Sequence, residues 1–136
     1  MSYLLDACAL SDGGKLNCDR GLAVWLLATP IEAQFVSVLS LAEIEFGILR
    51  MPAGRKRERL EEWFATVLTG TFSGRVVPFG ESDARIWAAL RATYPNCKFL
   101  DSQIAATALA HGLTLVTRNV RDFAFAGLPV FNPWAK

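Results

Sequence analysis

The stretch LDSQIAATALAHGLTLVTRNVRDF, from Leu100 to Phe123, constrains the fold more than any other, because it reads as helix, turn, strand and loop with an acid at each end. Asp101 stands where an apolar helix begins, and Ile104, Ala105, Ala108 and Leu109 recur behind it at helical spacing. His111-Gly112 is a stop signal, and Leu113 to Val116 is a short β-like run. Thr117-Arg118-Asn119 comes next with polar side chains, and Asp122 lies just beyond. In an open α/β sheet, groups past the carboxyl ends of strands line the crevice where ligands bind. Two carboxylates brought there make a candidate metal site.

The rest of the chain repeats this alternation. Tyr3-Leu4-Leu5 reads as a buried strand ending in Asp6, and Ala7 to Leu10 opens a turn or short helix. Leu22, Trp25 and Leu26 put one apolar face on a helix that Thr29-Pro30 stops, and Phe35 to Val38 reads as a second strand. Ser40-Leu41-Ala42-Glu43 has the form of a capping box, which predicts a helix from Ser40 to about Leu49 with Glu43 in its first turn. Leu60, Trp63, Phe64, Val67 and Leu68 form an amphipathic stripe. Val76-Val77 is a third strand, Ala84, Trp87, Leu90 and Tyr94 mark a helix that Pro95 ends, and Val130-Phe131 is a last strand. Strands alternating with helices predict an α/β domain, with a largely parallel sheet covered on both faces.

At 136 residues the chain suits a single domain over 1–136, large enough to bury a core without disulfides. With 52% hydrophobic and 20% charged residues it is no disordered segment. A formal net charge of +1 argues against an indiscriminate polyanion binder, so a nucleic acid would have to meet a local patch. The 3 cysteines, Cys8, Cys18 and Cys97, make neither a CxxC pair nor an even disulfide set, and read as reduced thiols of a cytoplasmic protein. The apolar N-terminal run is broken at Asp6, and Gly21 to Thr29 is far shorter than the roughly 20 residues a membrane helix needs, so no membrane association is expected.

Of the 13 acidic residues, Asp6, Glu43, Asp101 and Asp122 stand apart, because each falls at a strand end, a helix start or the loop beyond a strand. In a parallel sheet those ends share one rim. Four carboxylates there would repel one another, and a bound cation is the natural way to hold them ionised. Oxygen donors without paired histidines or cysteines select a hard ion such as Mg²⁺ or Mn²⁺. Such a site favours attack of water on a phosphate ester. The single histidine, His111, sits at a helix end where the dipole favours it, so it is not available as the base.

Each acid also has a plain structural reading. Glu43 could serve only Ser40, Asp101 could complement a helix N-terminus, Asp122 could cap the turn before Phe123, and Asp6 could be a loop residue. Thr117 and Asn119 are candidates to orient a metal-bound water or hold Asp122, or to satisfy their own loop. Arg50, Arg55, Lys56, Arg57 and Arg59, five of the 14 basic residues, form a candidate RNA-binding run or a solvated face.

Taken together, LLDACALSD, SVLSLAEIEFGILRMPAGRKRERLEEWF, RVVPFGESDARIWAAL, LDSQIAATALAHGLTLVTRNVRDF and GLPVFNPW give the chain its resemblance to the PIN domain, in particular to the VapC and FitB type toxins of toxin–antitoxin pairs. The resemblance implies a three-layer α/β/α sandwich. It implies a Mg²⁺ or Mn²⁺ dependent endoribonuclease with Asp6, Glu43, Asp101 and Asp122 as its acidic cluster and Thr117 and Asn119 beside it. It further implies a homodimer, and a cognate VapB or FitA like antitoxin that covers the site and ties the pair to operator DNA. The family usually places threonine and then a small polar residue after its first aspartate, where this chain has Ala7 and Cys8. A hydrogen bond lost there would weaken metal binding by about 10- to 100-fold. Two other readings compete. A phosphatase with an aspartate nucleophile would need a second aspartate two residues on, which Asp6-Ala7-Cys8 lacks. A degenerate, non-catalytic PIN-like module binding RNA or protein would fit Ala7 and Cys8.

Overall fold

The computed structural model describes residues 1–135. Five parallel strands lie in the order β3-β2-β1-β4-β5, with β1 at Tyr3–Leu5, β2 at Gln34–Ser37, β3 at Val76–Val77, β4 at Thr114–Val116 and β5 at Val130–Phe131. The sheet is short but well registered, Leu4 standing beside both Phe35 and Leu115, and Leu5 beside both Val36 and Val116. Successive side chains on a strand point to opposite faces. Leu4 and Leu115 accordingly enter one core, and Leu5, Val36 and Val116 enter the other. A strand buried on both faces cannot alternate apolar with polar, which is why Tyr3-Leu4-Leu5 and Thr114-Leu115-Val116 are nearly continuous apolar runs.

The first core is closed by α6 (Glu81–Thr93) and α7 (Phe99–His111), through Leu90, Ile104, Ala105 and Ala108. The second is closed by α1 (Ala7–Gly13), α2 (Arg20–Ala28), α3 (Val38–Leu49) and α4 (Arg55–Glu62), through Leu10, Leu22, Ile44 and Ile48 among others. The result is a three-layer α/β/α sandwich, as the alternation of elements predicts. Helix α7 stops at His111, where Gly112 takes φ +65° and its N–H returns to the carbonyls of Ala108 and Leu109. A left-handed residue at that position suits glycine and ends the helix.

Two local expectations are corrected. Ser40 is not a helix cap: β2 runs directly into α3, and Ser37 is the cap, its hydroxyl accepting from the Leu39 N–H at 3.0 Å. Ser40 is wholly buried within the first turn, and its Oγ has no hydrogen-bond partner. Glu43 therefore lies one turn further along α3 than a capping box would place it. The β propensity of Val38 hides the boundary, because a valine that starts a helix looks like the end of a strand.

The stripe from Leu60 to Leu68 also departs from a plain amphipathic helix. Beyond α4 the helix continues through a π-helical segment, Trp63–Leu68, into α5 (Thr69–Thr71). A π turn inserts an extra residue and shifts the register of the residues after it. Val67 is consequently 55% exposed while Leu68 and Phe72 are buried. Thr66, Thr69 and Thr71 turn their hydroxyls back onto the carbonyls of Glu62, Ala65 and Val67 at 2.7, 2.7 and 2.6 Å. Those bonds satisfy carbonyls in the irregular stretch.

Candidate functional site

Strand order locates the site. The chain passes from β1 outward to β2 and β3, then crosses back to β4 on the other side of β1. The carboxyl ends of β1 and β4 thus flank the switch point of the sheet, where open α/β folds bind ligands. Asp6 comes directly after β1 there and Thr117 directly after β4, and the Asp6 N–H donates to the Val116 carbonyl at 3.1 Å.

Asp6 is the most deeply set acid, 5% exposed, and caps α1 by accepting from the Ala9 N–H at 2.9 Å. Burial pushes its carboxyl above the ordinary aspartate range, against the Thr117 hydroxyl, the Ala9 and Cys8 amides and the Arg118 charge, all of which favour ionisation. Glu43, from α3, is raised by burial, then by Asp101 and Asp6. Asp101, in the first turn of α7, is raised by burial and by Asp122, with Lys98 opposing and Asp6 adding to the rise. Asp6, Glu43 and Asp101 therefore stand within electrostatic reach of one another, with Asp122 beyond Asp101. They come from the end of β1, from α3 and from the first turn of α7.

Asp122 sits differently from the other three. It lies in a 3₁₀ turn, Val120–Phe123, and its Oδ2 is 3.2 Å from Lys98 Nζ. Asn119 holds it through the backbone, its carbonyl accepting from the Asp122 N–H at 3.1 Å, while the Asn119 side chain donates to Cys8 Sγ at 3.6 Å. Thr117 is fully buried and its Oγ1 accepts from the Asn119 N–H at 3.0 Å, so it braces both its own loop and Asp6. Burial, then the Asp6 charge, pushes the Cys8 thiol up, which favours its neutral form beside the acids.

Among the described residues, no three acidic, histidine or cysteine side chains converge into a ready-made metal cage. The donor set nevertheless suits Mg²⁺ or Mn²⁺. Mg²⁺ commonly keeps several waters and is bound by only one or two carboxylates, and clustered acids raised by burial and by one another gain most from a cation.

Beside Glu43 and Cys8 opens a cleft of about 790 Å³, floored by Ile44, Ile48, Leu60 and Trp63 and edged by Lys15, Lys56, Arg59 and Arg118. Of the five basic residues singled out from the sequence, Lys56 and Arg59 line it. The other three do not. Arg57 donates to the Met51 carbonyl at 3.2 Å and pairs with Glu61 at 3.6 Å, Arg50 stacks on Phe46 with 5.4 Å to the ring centroid, and Arg55 is exposed at the start of α4. Lys15 and Arg118 are not evident from sequence because neither belongs to a charge run. Arg118 is the more findable, since it sits between Thr117 and Asn119; its guanidinium rests 5.6 Å from the ring centroid of Trp134.

A three-layer α/β sandwich with a parallel sheet and a buried aspartate at its switch point is the class of domain that the fold defines. The chain belongs to the PIN domain family, whose model matches residues 3–127. It is 35% identical over 135 residues to the VapC ribonuclease Y4jK of Sinorhizobium fredii, covering 96% of each chain. It is 32% identical over 135 residues to Toxin FitB of Neisseria gonorrhoeae, covering 96% of this chain and 97% of that one. Among solved structures, it is similar to a chain in FitAB bound to a DNA fragment, with a TM-score of 0.89, 30% identity and coverage of 98% of this chain and 96% of that one. Within the family the chain is of the VapC and FitB type.

Proposed function

We propose that this chain is the toxin of a toxin–antitoxin pair, a metal-dependent endoribonuclease that hydrolyses RNA phosphodiester bonds. The observation that carries the reading is the buried carboxylate of Asp6 directly after β1 at the switch point of the sheet, with Thr117 directly after β4 beside it. Relatives named as a VapC ribonuclease and as Toxin FitB support it.

The carboxylates of Asp6, Glu43 and Asp101 would hold Mg²⁺ or Mn²⁺, directly or through water, with Asp122 an outer partner while Lys98 engages it. When bound, the cation would supply an activated water and offset charge on the phosphate. The Ala9 amide holds Asp6 Oδ1 at 2.9 Å and fully buried Thr117 lies beside that carboxylate, so the start of α1 sets its orientation. Arg118 brings positive charge to the lip of the same pocket, where a phosphate would lie. The apolar floor of the large cleft, Ile44, Ile48 and Leu60, offers seating for an antitoxin segment that would cover the acids, and operator DNA would be reached only through that antitoxin. A homodimer would bury the exposed apolar stripe of α3, which includes Val38, Phe46 and Leu49. No described helix is long and apolar enough to cross a membrane; the unpaired cysteines fit a cytoplasmic setting.

The test is cleavage of single-stranded RNA with Mg²⁺, Mn²⁺ or EDTA, alongside Asp6→Asn and Asp101→Asn. We expect EDTA to abolish cleavage and each substitution to reduce it by more than about 100-fold, beyond the range typical of outer-shell changes. Mn²⁺ should also raise the thermal midpoint of the parent chain and not that of Asp101→Asn. Cleavage that survives EDTA or either substitution refutes the metal role. The non-catalytic reading has Cys8 on its side, a thiol tied to Asn119 beside the first acid. Metal-dependent cleavage excludes it.

A further inference from the structure

On the side of Asp122 lies a separate cleft of about 410 Å³, lined by Tyr94, Cys97, Lys98, Arg121, Asp122 and Phe125 among others. It shares no lining residue with the large cleft, which reaches the pocket at Glu43, Cys8 and Arg118. Asp101 lies in the first turn of α7, whose capping residue Lys98 lines the second cleft and rests 3.2 Å from Asp122 Oδ2, so that cleft opens within one helical turn of Asp101.

Charge and surface chemistry match a polyanion. Lys98 and Arg121 are cations against the single carboxylate of Asp122. Lys98 is exposed and already rests 3.2 Å from Asp122 Oδ2, whereas Arg121 forms no ion pair among the described residues. Tyr94 and Phe125 pack edge to face with centroids 5.1 Å apart, and the Tyr94 hydroxyl accepts from the Ala126 N–H at 2.9 Å, which fixes that wall. A groove with cations to track a backbone, walled by half-buried Tyr94 packed on buried Phe125, offers phosphate contacts first and only the open face of Tyr94 to a base.

We propose that this second cleft takes the stretch of single-stranded RNA on one side of the scissile bond, with Arg121 and Lys98 as positioning residues for its phosphates. A strand entering by the large cleft crosses the carboxylates and leaves past Asp122, so nucleotides lie on both sides of the cut. The inference rests on the nuclease reading above and adds to it a path and two residues.

The experiment measures RNA binding and cleavage separately. A labelled single-stranded oligoribonucleotide is titrated in EDTA, across a salt series, into the parent chain, Arg121→Glu and Lys98→Ala, with circular dichroism to verify folding. Binding should weaken several-fold in each variant, and the slope of log K against log salt should fall by about 0.7 to 1 for each phosphate no longer neutralised. In cleavage with Mn²⁺, Arg121→Glu should raise KM far more than it lowers kcat. The KM penalty should vanish for one of two substrates, each shortened to a single nucleotide on a different side of the scissile phosphate. Binding and salt slope unchanged in Arg121→Glu overturn the proposal, as does an equal KM penalty on both truncated substrates. A parent chain that binds RNA through Arg121 yet never cleaves it leaves the second cleft standing and sinks the nuclease reading; a parent chain that binds no RNA sinks both.

Discussion

Asp6 serves two purposes with one side chain, capping α1 and supplying the innermost carboxylate of the pocket. Asparagine caps a helix as well as aspartate does, so Asp6→Asn probes the chemistry while Asp6→Ala would also cost about 1 kcal/mol of helix capping. The raised acids have a consequence for stability. Asp6, Glu43 and Asp101 each hold a proton more tightly in the folded chain than in the unfolded one, so the folded state binds more protons and stability falls as pH rises through the carboxylate range. The destabilisation sets in above the ordinary aspartate value of about 4 and grows as pH rises through the raised folded values. Asp101→Asn should therefore raise the thermal midpoint of the metal-free protein at neutral pH by a few degrees, and the gain should vanish as pH falls to about 4. A midpoint scan against pH, in EDTA, checks both sign and window. Next to these acids, Ala7 and Cys8 leave a site with fewer hydrogen-bond donors than the usual family pattern of threonine and a small polar residue. The pair Ala7→Thr and Cys8→Asn should tighten Mn²⁺ binding, by up to about 10- to 100-fold, measured by calorimetry.

At the scale of elements, the start of α3 at Val38 gives a paired prediction. Ser37→Ala removes the cap bonded to Leu39 and should cost about 1 kcal/mol in chemical denaturation. Ser40→Ala removes a buried hydroxyl without a partner and should leave stability unchanged or raise it. The helix is legible in the sequence but its first residue is not, since Ser37 and Ser40 both suit a cap and only the backbone decides between them. The π segment is equally hidden. Leu60, Trp63 and Phe64 fit an unbroken α-helix, and nothing in the spelling announces the extra residue that turns Val67 outward. Legible instead is what the sheet imposes at its centre: short apolar runs, β1 ending at Asp6 and β4 at Thr117 on the rim. The acids of the pocket stand out for that reason, whereas the grip of Lys98 on Asp122 and the cation at Arg118 depend on side chains meeting across loops. Gly21 supplies a further check on packing. A Cβ there would stand 2.5 Å from both the Pro133 carbonyl and the Ala135 nitrogen, so Gly21→Ala should destabilise by about 1 to 3 kcal/mol and free the segment that α2 now holds.

For the whole molecule, the exposed stripe of α3 belongs to assembly. Val38, Phe46 and Leu49 are 42%, 60% and 56% exposed on a helix whose other face fills the core with Ile44 and Ile48. If that stripe is the dimer face, Phe46→Asp should turn a dimer into a monomer in analytical ultracentrifugation, with the fold intact by circular dichroism. The strand order has another outcome. β1 lies at the centre of the sheet, yet its neighbour β4 comes more than a hundred residues later, and only then do Thr117 and Asp101 reach Asp6. A ribosome making this protein therefore carries an unfinished sheet until the last quarter of the message is read, and any product cut short before Val116 lacks the strand that completes the rim beside Asp6. The hazard, if RNA is its target, arrives all at once with the final turns of synthesis.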